Sequence, residues 1–301
     1  MQTPGYLKKG DQVMIVAPAR KIAPEEVEPA RKILESWGLK VEYARHLFGI
    51  YNQFSGTDSE RLEDFQQALD DPRVKAIICA RGGYGSVRII DRLDFGRFIE
   101  KPKWIVGYSD ITVFHSHINQ NLGIETLHAE MPLNFGKKKT KTETFDSLKK
   151  TLCGRIPEYN IPTSDSNRLG QTQGILTGGN LSMLYSLMGS PSDINTENKI
   201  LFIEDLDEYL YHVDRMMMNL KRNGKLDRLA GLIVGGLSDM NDNSIAFGKT
   251  AKEIVWEHVQ EYNYPVCFDF PAGHIPDNRA LIMGREILLT VGKEEIRVFY
   301  K

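Results

Sequence analysis

The sequence predicts an α/β protein, with a parallel sheet covered by helices in the first half of the chain and a smaller mixed domain after it. Three observations carry this. Up to about residue 136, short apolar runs alternate with segments of helical period. The following segment loses that rhythm, first to the basic run Lys137-Lys138-Lys139-Thr140-Lys141 and then to a stretch from Arg155 to Leu169 rich in Pro, Ser, Asp and Asn. Beyond it, short strands recur around 200–203, 231–234, 265–269 and 286–290, with a helix around 251–262. The expected division is 1–160 and 161–301, joined by a linker, and no internal repeat is visible.

Each element has its own signal. Gln12-Val13-Met14-Ile15-Val16-Ala17 is an apolar run of strand length, and Val27, Ala30, Ile33, Leu34 and Trp37 fall at helical spacing before Gly38 stops that helix. Leu39 to Tyr43 alternates as a strand. Thr57-Asp58-Ser59-Glu60 is a capping box opening a helix that runs to Asp71-Pro72. Val74 to Ala80 and Trp104 to Val106 are buried strands, and helices are expected from near Val87 and near Ile111. Strands buried on both faces argue for a parallel sheet, which holds its ligands at the carboxyl ends of its strands. In the second half, Gly178-Gly179-Asn180-Leu181 leads into a helix containing Met183, Leu184 and Leu187.

Composition narrows the function. At 301 residues, 41% hydrophobic and 26% charged, the chain has the make-up of an ordinary globular protein with room for two domains. A formal charge of -2 leaves no basic excess to neutralise phosphates, so no nucleic-acid partner is expected. No apolar stretch has bilayer-spanning length, and Lys8, Lys9 and Asp11 interrupt any signal-peptide core, so no membrane partner is expected either. Three widely spaced cysteines, Cys79, Cys153 and Cys267, suit a reducing cytoplasm.

The chemistry starts at Gly107-Tyr108-Ser109-Asp110, where a hydrophobic strand turns directly into a helix. That turn presents the Ser109 hydroxyl at a strand end beside unpaired helix N–H groups, as a nucleophile turn does. A serine needs a base. Of seven histidines, His46, His212 and His258 fall in polar or helical contexts, His115 and His117 lie in the following helix, and His128 is a candidate pocket residue. His274 stands apart in Pro271-Ala272-Gly273-His274-Ile275-Pro276, a loop beyond a strand. The strand Ile200 to Ile203 ends in Glu204-Asp205, with Asp207 and Glu208 next. Such acids often serve as a helix cap, but three strand ends presenting Ser, Glu and His form the set in which a carboxylate orients an imidazole. No His or Cys stands near these acids at ligand spacing, so neither a metal nor a cofactor is expected. The loop Arg81-Gly82-Gly83-Tyr84-Gly85-Ser86 lacks the spacing of a dinucleotide or P-loop motif and better serves an oxyanion hole. Its N–H at Gly83 or Gly82 would act with that of Asp110.

In order, Arg81 to Gly85, Gly107 to Asp110, Gly178 to Leu181, Ile203-Glu204-Asp205 with Asp214-Arg215, and Ala272-Gly273-His274 resemble the motifs of the LD-carboxypeptidases. These serine peptidases include muramoyltetrapeptide carboxypeptidases and microcin C self-immunity proteins. The resemblance runs from Val13 to Gly284 and departs from the family pattern at Leu281-Ile282-Met283, where a proline is common. It implies a flavodoxin-like first domain, a second domain with a barrel-like sheet, a homodimer, and a triad of Ser109, Glu204 and His274 with Gly83 and Asp110 as oxyanion donors. The implied substrate is a small peptide, a murein tetrapeptide losing its terminal D-alanine in cytoplasmic cell-wall recycling, with Arg81, Gly82 and Tyr84 as candidate contacts. Three other readings compete. One is a hydrolase of microcin C type aminoacyl-nucleotides, for which Trp256 is the only tryptophan of the second domain able to stack on a base. The others are a non-catalytic two-lobed binding protein and a thiol enzyme using Cys79.

Overall fold

A computed structural model describes residues 1–301, and its strands fall into two sheets. The first is built from β1 (Gln12–Val16), β2 (Lys40–Tyr43), β3 (Val74–Cys79), β4 (Trp104–Gly107) and β5 (Thr126–His128), all parallel in the order β5-β4-β3-β1-β2. Helices α1 (Pro24–Ser36), α2 (Asp58–Asp70), α3 (Gly96–Glu100) and α4 (Thr112–Leu122) make its crossovers. The strands carry almost unbroken apolar runs because both faces are covered: every residue of β4 is buried. The capping box predicted at Thr57 is formed, the Glu60 N–H donating to Thr57 Oγ1 at 3.3 Å and the Thr57 N–H to Glu60 Oε2 at 2.7 Å.

The helix α5 (Thr142–Leu152) leads out of this sheet, and the second one comprises β6 (Tyr159–Pro162), β7 (Gly170–Asn180), β8 (Ile200–Leu206), β9 (Gly231–Ser238), β10 (Val266–Cys267), β12 (Glu286–Val291) and β13 (Glu295–Tyr300). Helices α6 (Leu181–Leu187), α7 (Leu210–Arg222) and α8 (Ala251–Val259) lie between its strands. β7 changes partner along its length: residues 170–175 run antiparallel to β12 and residues 176–180 parallel to β8. The sheet is therefore mixed, as expected. Its order is open, from β10 to β6, with one bridge between Arg168 and Val266 linking β10 to the entry of β7.

Three local expectations need correction. The stretch expected as a linker contains β6, whose Tyr159 and Ile161 are buried while Asn160 and Pro162 face out; Pro162 is tolerated because β6 is an edge strand. The strand β11 (Leu281–Met283) returns to the first sheet, antiparallel to β5, so the late chain joins the early one. And no α-helix follows the Gly-rich loop: Ser86–Arg88 and Ile90–Arg92 form two 3₁₀ turns. The Ser86 N–H, which would open a helix there, is taken by the Asp110 carboxylate at 2.9 Å.

Candidate active site

Ser109 follows β4 and opens a 3₁₀ turn that runs into α4. Its φ is +64°, a left-handed conformation that a non-glycine residue holds only when its surroundings impose it. The imposition comes from both sides. Gly107 precedes it with no room for a side chain, since a Cβ there would fall 2.8 Å from Ile111. Gly82 lies against it: a Cβ on Gly82 would meet Ser109 Cβ at 2.9 Å, Oγ at 3.0 Å and the Asp110 nitrogen at 3.2 Å. The Gly-rich loop thus rests directly on the serine turn. It is anchored there by the Asp110 bond to Ser86 and by the buried Arg61, whose guanidinium donates to the Gly85 carbonyl at 3.0 Å and the Pro18 carbonyl at 2.5 Å.

Glu204 comes from β8 of the second sheet, and His274 from the loop that runs from β10 of that sheet to β11 of the first. Glu204 sits within β8, wholly buried, so it is not a helix cap; α7 begins six residues later. Its Oε2 accepts from His274 twice, at 2.7 Å from Nδ1 and 3.2 Å from the backbone N–H. This close approach is possible because Gly273 has no side chain and a φ of +102°: a Cβ there would lie 2.6 Å from Glu204 Oε2. The loop is further held by Gly273 N–H donating to Asn278 and by Ser238 Oγ donating to the His274 carbonyl. Since Nδ1 donates to the carboxylate, the neutral ring carries its lone pair on Nε2.

Electrostatics follow from this pairing. Burial pushes the His274 imidazole down, but the charge and hydrogen bond of Glu204 outweigh it and leave its pKa above the ordinary 6.5. For Glu204, burial pushes upward, but the charge and hydrogen bond of His274, with smaller help from His128 and Asn180, together outweigh it and hold the carboxyl below 4.5. Asp205, next in the chain, is also buried and accepts from Asn180 Nδ2, the Leu206 N–H and the Ser182 N–H at 2.8–2.9 Å. Burial first, then the Glu204 charge, raise it to about 7.

Ser109, Asp110, Gly83 and His274 line one cavity of about 290 Å³, together with Asn180, Asp205, Asp207 and Glu208. The first-sheet and second-sheet contributions thus converge. The two sheets are registered at this point by Thr112 of α4, whose Oγ1 accepts from the Asn180 N–H at 3.0 Å, against Gly179, where a Cβ would meet that hydroxyl at 2.5 Å. Sequence reasoning passed over Asp205 and Asn180 as functional neighbours. Asn180 was legible as the cap of α6, since its side chain accepts from the Met183 N–H.

Other candidates fall outside the cavity. Arg81 points away, donating to the Lys21 carbonyl at 3.0 Å, and Tyr84 is exposed and tilted against Phe54. His128 is buried against Phe202, and burial drives its pKa down to about 3. His115 Nε2 donates to the Gly107 carbonyl at 2.8 Å, while His46, His212 and His258 pair with Asp64, Glu208 and Asp214. Cys79, the last residue of β3, is wholly buried with its thiol pushed up, which removes the thiol reading. Trp256 lies under Arg168 at 4.7 Å, in a different depression lined by Thr250, Lys252 and Phe268.

The chain is 34% identical, over 97% of its length and 92% of the relative's, to a probable murein peptide carboxypeptidase of Bacillus subtilis. The crystal structure of muramoyltetrapeptide carboxypeptidase from Oxalobacter formigenes superposes with a TM-score of 0.85 at 28% identity, covering 96% of this chain and 98% of that one. The microcin C7 self immunity protein MccF, in complex with aspartyl sulfamoyl adenosine, shares the fold with a TM-score of 0.87 at 22% identity, covering 99% and 98%. The N-terminal domain of the LD-carboxypeptidases matches residues 13–129 and their C-terminal domain residues 173–289. The chain therefore belongs to the LD-carboxypeptidase family.

Proposed function

We propose that the chain is a serine carboxypeptidase that releases the terminal D-alanine of a murein tetrapeptide by cutting an L,D-peptide bond. The observation that carries the mechanism is the His274–Glu204 pair, on a cavity shared with a serine held at positive φ. The substrate class rests on the relatives in Bacillus subtilis and Oxalobacter formigenes. As Ser109 Oγ attacks the scissile carbonyl carbon, its proton passes to His274 Nε2. Glu204 holds the ring in the right tautomer and stabilises the imidazolium. The N–H groups of Gly83 and Asp110 receive the developing oxyanion, which removing one such donor would weaken by on the order of 10²- to 10³-fold in rate. The C–N bond then breaks, His274 returns its proton to the leaving amine, and a water molecule, deprotonated by the same imidazole, releases the acyl group from Ser109. The reading includes a cytoplasmic homodimer, which rests on the family resemblance.

The microcin reading has the weaker support: the fold is shared, but Trp256 is committed to Arg168 away from the cavity. The test is mass spectrometry of the protein incubated with a tetrapeptide ending in D-alanine. Loss of alanine, abolished in Ser109→Ala, is expected. Turnover by Ser109→Ala above a tenth of the wild-type rate would remove Ser109 from the role, and hydrolysis of an aminoacyl sulfamoyl adenosine in place of the peptide would favour the alternative.

A further inference from the structure

We propose that Lys137 and Lys139 read the free terminal carboxylate of the leaving amino acid, in a second cavity that shares His274 with the serine cavity. The inference rests on the carboxypeptidase reading above. This second cavity, of about 170 Å³, is lined on one side by Tyr108, Asn134, Lys137, Lys139 and Thr140 and on the other by the His274-Ile275-Pro276 loop. From sequence the run looks like an ordinary solvated patch. Folding docks it instead on the loop that carries His274: Lys141 N–H donates to the Pro276 carbonyl at 2.9 Å, and Thr140 ties back to Asn134 through its hydroxyl at 2.9 Å and to Lys137 through its N–H at 3.1 Å. The two lysines therefore stand on a closed turn.

Charge decides which end of a substrate belongs here. The serine cavity is lined by Asp110, Asp205, Asp207 and Glu208 and by no lysine or arginine, so it offers a carboxylate no cationic partner. In the second cavity the acids are Glu130 and Asp239. Glu130 is buried, engaged by the Met131 N–H and the Asn134 amide, and its pKa is raised by that burial. The lysine ion pairs of the molecule are made by Lys32, Lys221, Lys225, Lys249 and Lys252, which leaves Lys137 and Lys139 uncommitted. Geometry agrees with charge. The amine that takes the proton from His274 is separated from its own carboxylate carbon by a single Cα, so that carboxylate must settle on a wall adjoining His274. An exopeptidase needs such a reader, because a chain that continues past the scissile bond, or ends in an amide, has no anion to offer there.

The experiment compares kcat/KM for a tetrapeptide ending in D-alanine with kcat/KM for the same peptide ending in D-alaninamide, in wild type, Lys137→Ala/Lys139→Ala and Lys138→Ala. Lys138 does not line the cavity and is the control. Wild type and Lys138→Ala should favour the acid by about tenfold or more, the scale of a charge-assisted contact. The double variant should bring the two substrates within about threefold of each other, through a raised KM for the acid. A double variant that keeps the wild-type preference, one that loses equally on both substrates, or a wild type indifferent to the terminal group would overturn the proposal while leaving the carboxypeptidase reading intact. A wild type inert on the tetrapeptide acid would overturn both.

Discussion

Replacing Glu204 by Gln isolates the carboxylate charge from its shape. The amide oxygen can still accept from His274 Nδ1 and from the His274 backbone N–H, the two bonds that Glu204 Oε2 accepts at 2.7 and 3.2 Å. What disappears is the charge that keeps a buried imidazole protonatable. The protein supplies its own scale for that loss: burial leads the depression of His128 to about 3 and of His115 to about 4. Against an ordinary imidazole near 6.5, that span corresponds to about 3–5 kcal/mol at about 1.4 kcal/mol per pH unit. If the imidazolium is largely formed in the transition state, Glu204→Gln should lower kcat by about 10² to 10⁴ with little change in KM. The assay is alanine release followed by mass spectrometry at pH 7.5, with circular dichroism to verify that the variant folds. A kcat within fivefold of wild type would refute the reasoning, and a dead Asp205→Asn beside it would move the orienting role to the neighbouring carboxylate.

Gly273→Ala places a methyl 2.6–2.8 Å from three side-chain atoms of Glu204 at a φ of +102°, so it should cost about 1–3 kcal/mol of stability and on the order of 10² in kcat. Gly248→Ala, also at positive φ but with nothing within 4 Å, should keep kcat within about twofold; equal kinetic losses in the two would show that backbone strain alone is responsible. The kcat/KM profile of the wild type should rise with a midpoint above 6.5, because His274 acts as a base only once deprotonated and Glu204 raises its pKa; a midpoint below 6.5 contradicts the pairing. In thermal melts the pair should stabilise most between the two titrations. The raised His274 contributes fully below about 6.5 and loses its contribution as pH rises through its folded value, while the depressed Glu204 contributes above about 4.5 and loses its part as pH falls through its own. Asp205→Asn leaves the Ser182 N–H facing an amide that cannot accept at both positions, so about 1–3 kcal/mol of stability should go, seen as a lower Tm, with kcat less affected than in Glu204→Gln.

Much of the site is legible in sequence because two of its parts are announced locally. A strand that runs through Gly107 into Ser109 and on into a helix can only turn sharply, and a histidine bracketed by Gly273 and Pro276 has no apolar face to join. The parallel half of the fold is equally local, since strands buried on both faces write themselves as apolar runs. What escapes is whatever depends on contacts between distant segments. Asp205 reads as a surface acid beside Glu204, yet it is buried because β8 lies inside its sheet, flanked by β7 and β9, and its oxygens meet the start of α6, twenty-three residues earlier. The strand β6 hides in a Pro-rich stretch because its partner β13 lies more than 130 residues away. The lysines at 137 and 139 look solvated until Pro276 is seen to hold their turn against the His274 loop. The same long-range closure explains why Ser109 and Glu204 belong to different sheets. A serine at the end of one sheet and a carboxylate within the other can share one histidine only if the sheets keep a fixed register, and Thr112 against Gly179 and Asn180 is where that register is set. Residues that merely join the two halves therefore govern the alignment of Ser109 with His274 as directly as the residues of the cavity itself.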